Sequence, residues 1–381
     1  MLNFSRENTG LTARWWRNVD KQILFAFVFL FLLGLFFSFS STSSIVGDKL
    51  NKEPYFFFIK HFFFVMISLF LLILISIQKP KKVLKFLIPM FIISILILFL
   101  VPLIGVEVKG AKRWIDLSLL PRFQPIELVK PLFILLVAKV IVLSDQKNIY
   151  VRYLFSFFIL FSIVVLLINQ PDLGQSLLLI FTWITMIFAS GFNMIILIFL
   201  VLFAIGAFSM LVYLIPSKFG YIMFRIQTFF NPKVGSDFQS QRALDAIKQG
   251  GLTGQGMGEG ILKDKVPEAH TDYILAVISE EFGALFVLFI VIIFLFISYR
   301  VLNKIFLKED EFLKLSLVGL VSLLIIQTFI HIGVNIRILP TTGMTLPFLS
   351  YGGSSLIGSA IVAGIILNFT RKDSSRDFNY E

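Results

Sequence analysis

Ten long apolar runs leave this chain few ways to fold outside a membrane. They fall at about 22–44, 55–77, 84–104, 125–144, 153–169, 174–190, 193–215, 272–298, 313–336 and 354–370. Each is near the roughly 20 residues that a helix needs to cross the hydrocarbon core. With 57% hydrophobic residues and a mean hydropathy of +0.90 over 381 residues, no soluble core could absorb the apolar surface. The expectation is an all-α polytopic membrane protein with about ten transmembrane helices. It has one membrane domain over 1–381, a polar tail at each end (1–21 and 371–381), and one long extracytoplasmic loop between spans seven and eight, at 216–271. The first run follows a polar tail carrying Arg6, Arg14, Arg17 and Lys21 and has no convincing cleavage site, so it is expected to be retained.

Basic residues orient the spans. With ten crossings, Lys79, Lys81, Lys82 and Lys85, then Lys147 and Arg152, then Arg300, Lys304 and Lys308, and the tail at Arg371, Lys372 and Arg376 share the side of the N-terminal tail. That side is the cytoplasm, with both termini in it, by the excess of Lys and Arg on inner loops. The net charge of +11 is therefore read as topological, with no nucleic-acid partner. The loop 105–124 runs against the trend: it lies outside yet carries Lys109, Lys112, Arg113 and Arg122. The absence of Cys excludes disulfides and thiolate metal sites.

The long loop has two parts. "KFGYIMFRIQTFFNP" mixes Phe, Tyr and Ile with Lys218 and Arg225, as a segment lying in the headgroup layer would. "GGLTGQGMGEG" reads either as a flexible spacer or as a phosphate cradle; no strand precedes it, which argues against a dinucleotide fingerprint.

Polar residues in or beside spans are costly in hydrocarbon and so face a cavity or a partner. Glu127 and Lys130 are three apart on one helix face, as an internal ion pair or as two substrate contacts. Gln327, His331 and Asn335 form a stripe suited to hydrogen bonding between helices. Asp272 opens the eighth run, as a helix N-cap or as a chemical group. On one continuous helix Glu280 would lie about 12 Å deeper and roughly 80° round from it, with Glu281 pointing nearly opposite.

"GAKRW" at 110–114, "QPIELVKP" at 124–131, "NQPDLGQS" at 169–176, "FFNP" at 229–232, "PEAHTDYI" at 267–274 and "LPTTGMTLPFLSYGGSS" at 339–355 resemble, in order and spacing, the SEDS family of shape, elongation, division and sporulation proteins. The likeness covers nearly the whole chain, and "GMTLPFLSYGG" is more similar to the division members than to the elongation members. The resemblance implies a peptidoglycan glycosyltransferase that joins lipid II units by β-1,4 bonds on the outer face of the inner membrane, with loss of undecaprenyl diphosphate. It implies a class B penicillin-binding transpeptidase and other divisome membrane proteins as partners, membrane lipid as surroundings, and Asp272 as the essential acid. Glu268, His270, Ser350, Gly352 and Gly353 become substrate-binding candidates through the same motifs.

Inversion at an α-linked sugar diphosphate needs a carboxylate to take the acceptor proton and positive charge at the leaving group. Asp272 is the candidate base. Lys109, Lys112, Arg113, Arg122, Arg225, Lys263 and Lys265 are candidate diphosphate partners, with Arg113 beside Trp114 the sharpest, since Arg forks onto phosphate and Trp stacks on sugar. Alternatively Asp272 holds a divalent cation, Mg or Mn, that screens the diphosphate; no organic cofactor is implied. One departure from the family pattern is Thr342, where division members usually carry Lys, with Arg337 as the residue to restore the cation. The competing readings are a RodA-like elongation polymerase, a lipid II flippase using Lys130, Asp172 and Glu280 as a path, and a non-catalytic scaffold.

Overall fold

The computed structural model describes residues 10–42, 55–108, 110–116, 122–143, 148–230 and 238–372, so Arg6, Lys109, Lys147, Arg376 and the end of the 229–232 motif lie outside the described residues. A short helix α1 (Leu11–Asn18) leads into α2 (Lys21–Thr42), α3 (Phe56–Ile77) and α4 (Pro80–Ile104). A two-stranded antiparallel hairpin follows, β1 (Val106–Val108) and β2 (Ala111–Trp114). Then come α5 (Ile126–Leu143), α6 (Ile149–Asn169), α7 (Leu173–Ala189), α8 (Met194–Leu214), α9 (Pro216–Phe230), α10 (Phe238–Gly250), α11 (Ile274–Ile305), α12 (Glu311–Asn335) and α13 (Gly353–Thr370).

Each of the ten expected runs is helical. Among the described residues eight helices are long and apolar enough to cross a membrane, which makes this a multi-pass membrane protein. The other two are α5, which carries Glu127, Lys130 and Lys139 in 18 residues, and α7, with 17 residues. Helix starts follow local chemistry: Asn148, Asp172, Asn193 and Asp310 each accept a hydrogen bond from an amide two or three residues on. Lys372 donates its amide to the Asn18 carbonyl at 3.2 Å, so the described chain enters and leaves on one face and crosses an even number of times between those points.

Helices α13 and α12 form the interior, 83% and 67% buried, whereas α8 is 11% buried and stands at the rim. The inner helix α13 packs against α3 where a Cβ on Gly353 would meet the Phe64 ring at 2.5 Å. Gly353 is therefore a packing residue at a close helix approach, which corrects its reading as a substrate contact.

The long connection is structured rather than a plain loop, and it overturns the single-helix reading of 272–298. Gly283 has φ 81° and ψ 172° and breaks α11 into a short first piece and a long second piece. The glycine-rich segment lies directly on the short piece: Gln255 and Gly256 donate to the Glu280 and Glu281 carbonyls at 2.8 and 3.0 Å, and Ala284 and Leu285 donate back to Gly251 and Leu252 at 3.0 and 3.2 Å. A Cβ on Gly250 would fall 1.9 Å from the Ser279 carbonyl oxygen, and one on Gly254 2.2 Å from that of Glu281. Gly250 and Gly254 serve close backbone contact, and the exchanged hydrogen bonds hold the segment in place, so it is not a flexible spacer.

Glu280 and Glu281 consequently sit against the 255–263 segment. The two Glu280 carboxylate oxygens accept the Leu262 and Lys263 amides at 2.7 and 2.6 Å. Glu281 takes the Lys263 ammonium, the Ser40 hydroxyl and the Gly258 amide. Lys263 is thereby committed to the fold and drops from the candidate diphosphate partners.

Candidate active site

Four segments that are distant in sequence meet at the bundle end opposite residues 18 and 372. Arg113 on β2 donates from Nε to the Gln170 carbonyl at 3.1 Å and from Nη2 to that of Pro171, and its Nη1 lies 3.8 Å from Asp172 Oδ1. Arg225 on α9 donates to the Thr341 carbonyl at 3.1 Å. A cleft of about 300 Å³ opens between these groups, walled by Arg113, Tyr221, Phe224, Arg225, Ser240 and Thr341 among others.

Asp272 stands past Gly343 from that cleft and is not one of its walls. The open side of Gly343, at φ +70°, faces both charged groups: a Cβ there would lie 3.6 Å from Asp272 Oδ2 and 3.9 Å from Arg113 Nη1. Arg113 thus borders both the cleft and the space in front of the carboxylate. Asp272 is not the N-cap of α11. Tyr273 occupies that position and makes no side-chain cap, because the backbone is still in a turn at 271–273.

The backbone that presents Asp272 is clamped from two directions. Asn335 Nδ2 donates to the Asp272 carbonyl at 3.2 Å, Ser350 Oγ to that of Thr271 at 2.7 Å, and the Tyr351 amide to that of His270 at 2.9 Å. The stripe on α12, expected to bond between helices, instead holds loop and turn carbonyls. Gln327 donates to the Thr345 carbonyl at 3.0 Å and His331 Nδ1 meets that of Met344 at 2.8 Å, tying down the segment that carries Gly343. Ser350 belongs to this clamp, and Gly352 is the extended residue before α13, with φ −178°. Neither is a wall of the cleft.

Other expected site residues are placed elsewhere. Trp114 is not a wall of the cleft, because successive strand residues point to opposite faces and Arg113 takes the inward one. His270 packs its ring between Phe57 and Tyr351, with centroids at 5.5 and 5.7 Å. Glu268 has φ 57° and accepts the Thr271 hydroxyl at 2.9 Å in the turn before Asp272. Arg337 reaches Gln241 Oε1 on α10 at 2.8 Å and does not line the cleft, so the cation on the 341 segment is Arg225 and not Arg337. Arg122 pairs with Asp116 at 3.2 Å.

Behind Arg113, a buried polar chain runs inward. Gln124 Nε2 donates to Asp172 Oδ2 at 3.2 Å, and Gln175 Nε2 to Glu127 Oε1 at 3.4 Å. Glu127 Oε2 holds Lys130 Nζ at 2.8 Å, and Lys130 continues to Gln327 Oε1 at 3.3 Å. Glu127 and Lys130 therefore form the internal pair, away from the cleft walls. Gln124, Gln170 and Gln175 are supporting residues that sequence reasoning left without a role, and Asp172, named there only for a flippase path, joins them. Their signal was the two motifs "QPIELVKP" and "NQPDLGQS", whose polar residues recur beside each helix start.

Burial pushes the Asp172 carboxyl above the usual carboxylate range, with the Arg113 guanidinium opposing. Burial also lowers the Arg225 guanidinium, and repulsion from Arg113 adds to it. Two half-shielded guanidinium groups that repel one another across a cleft are relieved by an anion between them.

As to a divalent cation, no group of three or more His, Cys, Asp or Glu side chains among the described residues could hold one. Asp272 offers one carboxylate with a guanidinium nearby. That fits only an ion whose remaining oxygens come from phosphate and water, as Mg²⁺ commonly takes them.

Residues 21–375 match the profile for the cell cycle proteins FtsW, RodA and SpoVE. The chain is similar to proteins named probable peptidoglycan glycosyltransferase FtsW. The one from Caulobacter vibrioides is 32% identical over 97% of this chain and 93% of its own length, and the one from Haemophilus influenzae 32% identical over 93% and 91%. Two solved structures share the fold at 24% identity. A chain of a peptidoglycan synthase complex, described as coordinating polymerization and crosslinking, has a TM-score of 0.76 over 95% of this chain and 99% of its own. The rod shape determining protein RodA of Thermus thermophilus has a TM-score of 0.69 over 96% and 99%.

Proposed function

The chain belongs to the cell cycle protein family of FtsW, RodA and SpoVE, and from that premise we propose that it is a peptidoglycan glycosyltransferase that polymerises lipid II for septal synthesis. The observation that carries the reading is the single small space at Gly343 faced by the Asp272 carboxylate and the Arg113 guanidinium, beside a cleft with a second guanidinium at Arg225.

In the proposed reaction the acceptor sugar's 4-hydroxyl attacks the anomeric carbon of the donor. The bond to the diphosphate breaks, the β-1,4 bond forms, and undecaprenyl diphosphate leaves with the electron pair. Asp272 takes the hydroxyl proton, and Arg113 and Arg225 meet the charge that develops on the diphosphate. Arg113 can do so only from the edge it leaves toward Gly343, since its other donors are spent on the 170–171 carbonyls. The clamp of Asn335 and Ser350 keeps the carboxylate from following the substrate, which preserves the geometry of attack. A divalent cation enters this proposal as one brought by the diphosphate and held by Asp272, where it would supply further positive charge.

The inner-membrane orientation, with both termini in the cytoplasm and the cleft outside, and a class B transpeptidase partner belong to the same proposal. It is supported by the basic helix ends on the face of residues 18 and 372 and by the assembly of a fold neighbour in a synthase complex.

The test is Asp272→Asn in a lipid II polymerisation assay on protein purified with its transpeptidase. Asn keeps the shape and cannot take the proton. Glycan polymer should fall by roughly 10² or more, the range of general-base catalysis, while abundance and monodispersity stay at the parent level. Near-parent polymer would remove Asp272 as the base.

A further inference from the structure

We propose that the opposite face of the molecule carries a binding site for the phosphate of an anionic phospholipid, independent of the reaction above. A second cleft of about 300 Å³ opens where the α1–α2 junction, the end of α11 and the exit of α13 meet. Among the described residues its walls carry five cations, Arg17, Lys21, Arg300, Lys304 and Lys372, against one carboxylate, Asp20.

That carboxylate is already saturated. Asp20 Oδ1 accepts the Gln22 and Ile23 amides at 3.1 and 3.3 Å as the cap of α2, and Oδ2 takes Arg300 and Lys304 at 3.2 and 3.3 Å. Asp20 fixes the floor of the cleft with both its oxygens. A cleft with this excess of cations at the end of a helix bundle has the chemistry of a phosphate headgroup site.

Two further observations favour a lipid phosphate over a free one. Lys21 heads an exposed apolar stripe on α2 at Phe25, Phe29 and Leu32, and Arg300 heads another on α11 at Phe296, Ile292 and Phe289. The stripes are joined inside by the Phe29–Phe289 contact at 6.2 Å. Adjacent antiparallel helices thus carry exposed apolar stripes from the cations into the hydrocarbon, along which acyl chains would lie.

The cleft also stands at headgroup depth. Trp15 and Trp16 on the amphipathic α1 lie beside it, Trp15 bonded to Ser76 at 2.8 Å and Trp16 under Lys21 at 4.9 Å with its edge on Phe25 at 6.4 Å. Trp on a short basic amphipathic helix marks the membrane–water boundary.

The test measures retention of dioleoyl phosphatidylglycerol against dioleoyl phosphatidylcholine on the detergent-purified full chain by native mass spectrometry, with inorganic phosphate as competitor. Each basic side chain is worth roughly fivefold in affinity for an anionic surface. The triple variant Arg17→Gln, Lys21→Gln, Lys372→Gln should therefore lose on the order of a hundredfold in phosphatidylglycerol retention, with phosphatidylcholine unchanged. Lys79→Gln, Lys81→Gln, Lys82→Gln removes the same charge from outside the cleft and should change retention less than twofold. Equal losses in both triples would reduce the effect to general surface charge and overturn the site, as would unchanged retention in the first. Displacement of phosphatidylglycerol by millimolar inorganic phosphate would overturn the lipid assignment in favour of a free-phosphate site.

Discussion

Glu127 and Lys130 give the sharpest energetic test of how the site is held. The two charges are 2.8 Å apart and about 3% exposed, and each has one neutral second partner, Gln175 on Glu127 and Gln327 on Lys130. Neither neighbour can take over the charge if the partner is removed. Breaking a buried pair from one side costs about 3–5 kcal/mol because the remaining ion keeps its desolvation penalty without its attraction, while replacing both ions by groups of similar volume is often neutral or better. Glu127→Gln and Lys130→Met are near-isosteric, and volume matters because a Cβ on Gly358 would already meet Glu127 Oε2 at 2.8 Å. Each single variant is expected to lose about 3 kcal/mol or more, and the double variant to recover at least about 2 kcal/mol of the summed loss. The assay is thermal retention of monodisperse protein in one detergent, followed by size-exclusion fluorescence, for parent, singles and double. Additive losses would refute the pair as a unit and would mean that each residue acts through a different partner.

Two glycines that differ in their surroundings separate packing from backbone strain. Gly250→Ala pushes a methyl 1.9 Å from the Ser279 carbonyl oxygen and should abolish monodisperse protein, whereas Gly251→Ala, at φ +57° with open space around it, should cost only about 1–2 kcal/mol of left-handed strain; similar yields from both would contradict the packed loop. Gly343→Ala adds a methyl in ordinary contact distance of Asp272 and Arg113, again with about 1–2 kcal/mol of strain at φ +70°. Polymer formation should fall at least tenfold while thermal retention changes little, and full activity would show that the space in front of Asp272 is not where reacting groups sit.

What was legible in the sequence was whatever a local rule governs. Length and hydropathy located the ten helices, although α11 runs to Ile305, beyond the expected 298. The i, i+4 spacing marked Gln327, His331 and Asn335 as groups bonding between helices, whereas they bond to the Thr345, Met344 and Asp272 carbonyls in loop and turn, with Lys130 on Gln327 the contact from another helix. Hidden was everything decided by one backbone meeting another. Nothing local in "SEEFGAL" distinguishes a helix that continues from one that breaks; the break at Gly283 exists because the 250–256 segment must reach the Ser279–Phe282 backbone closely enough to exchange hydrogen bonds with it. That one break sets Glu280 and Glu281 against the 255–263 segment and turns two apparent intramembrane charges into anchors. It also bears on mechanism. With Glu280 and Glu281 spent on amides and on Lys263, Glu127 on Lys130 and Asp172 facing Arg113, Asp272 is the carboxylate that the fold turns toward the open side of Gly343. Glu127, Lys130, Asp172, Glu280 and Glu281 therefore gather toward the cleft end of the bundle, and Asp20, Lys308 and Arg371 at the opposite end, instead of marking a route through the midplane, an arrangement that serves chemistry at the membrane surface better than passage across it.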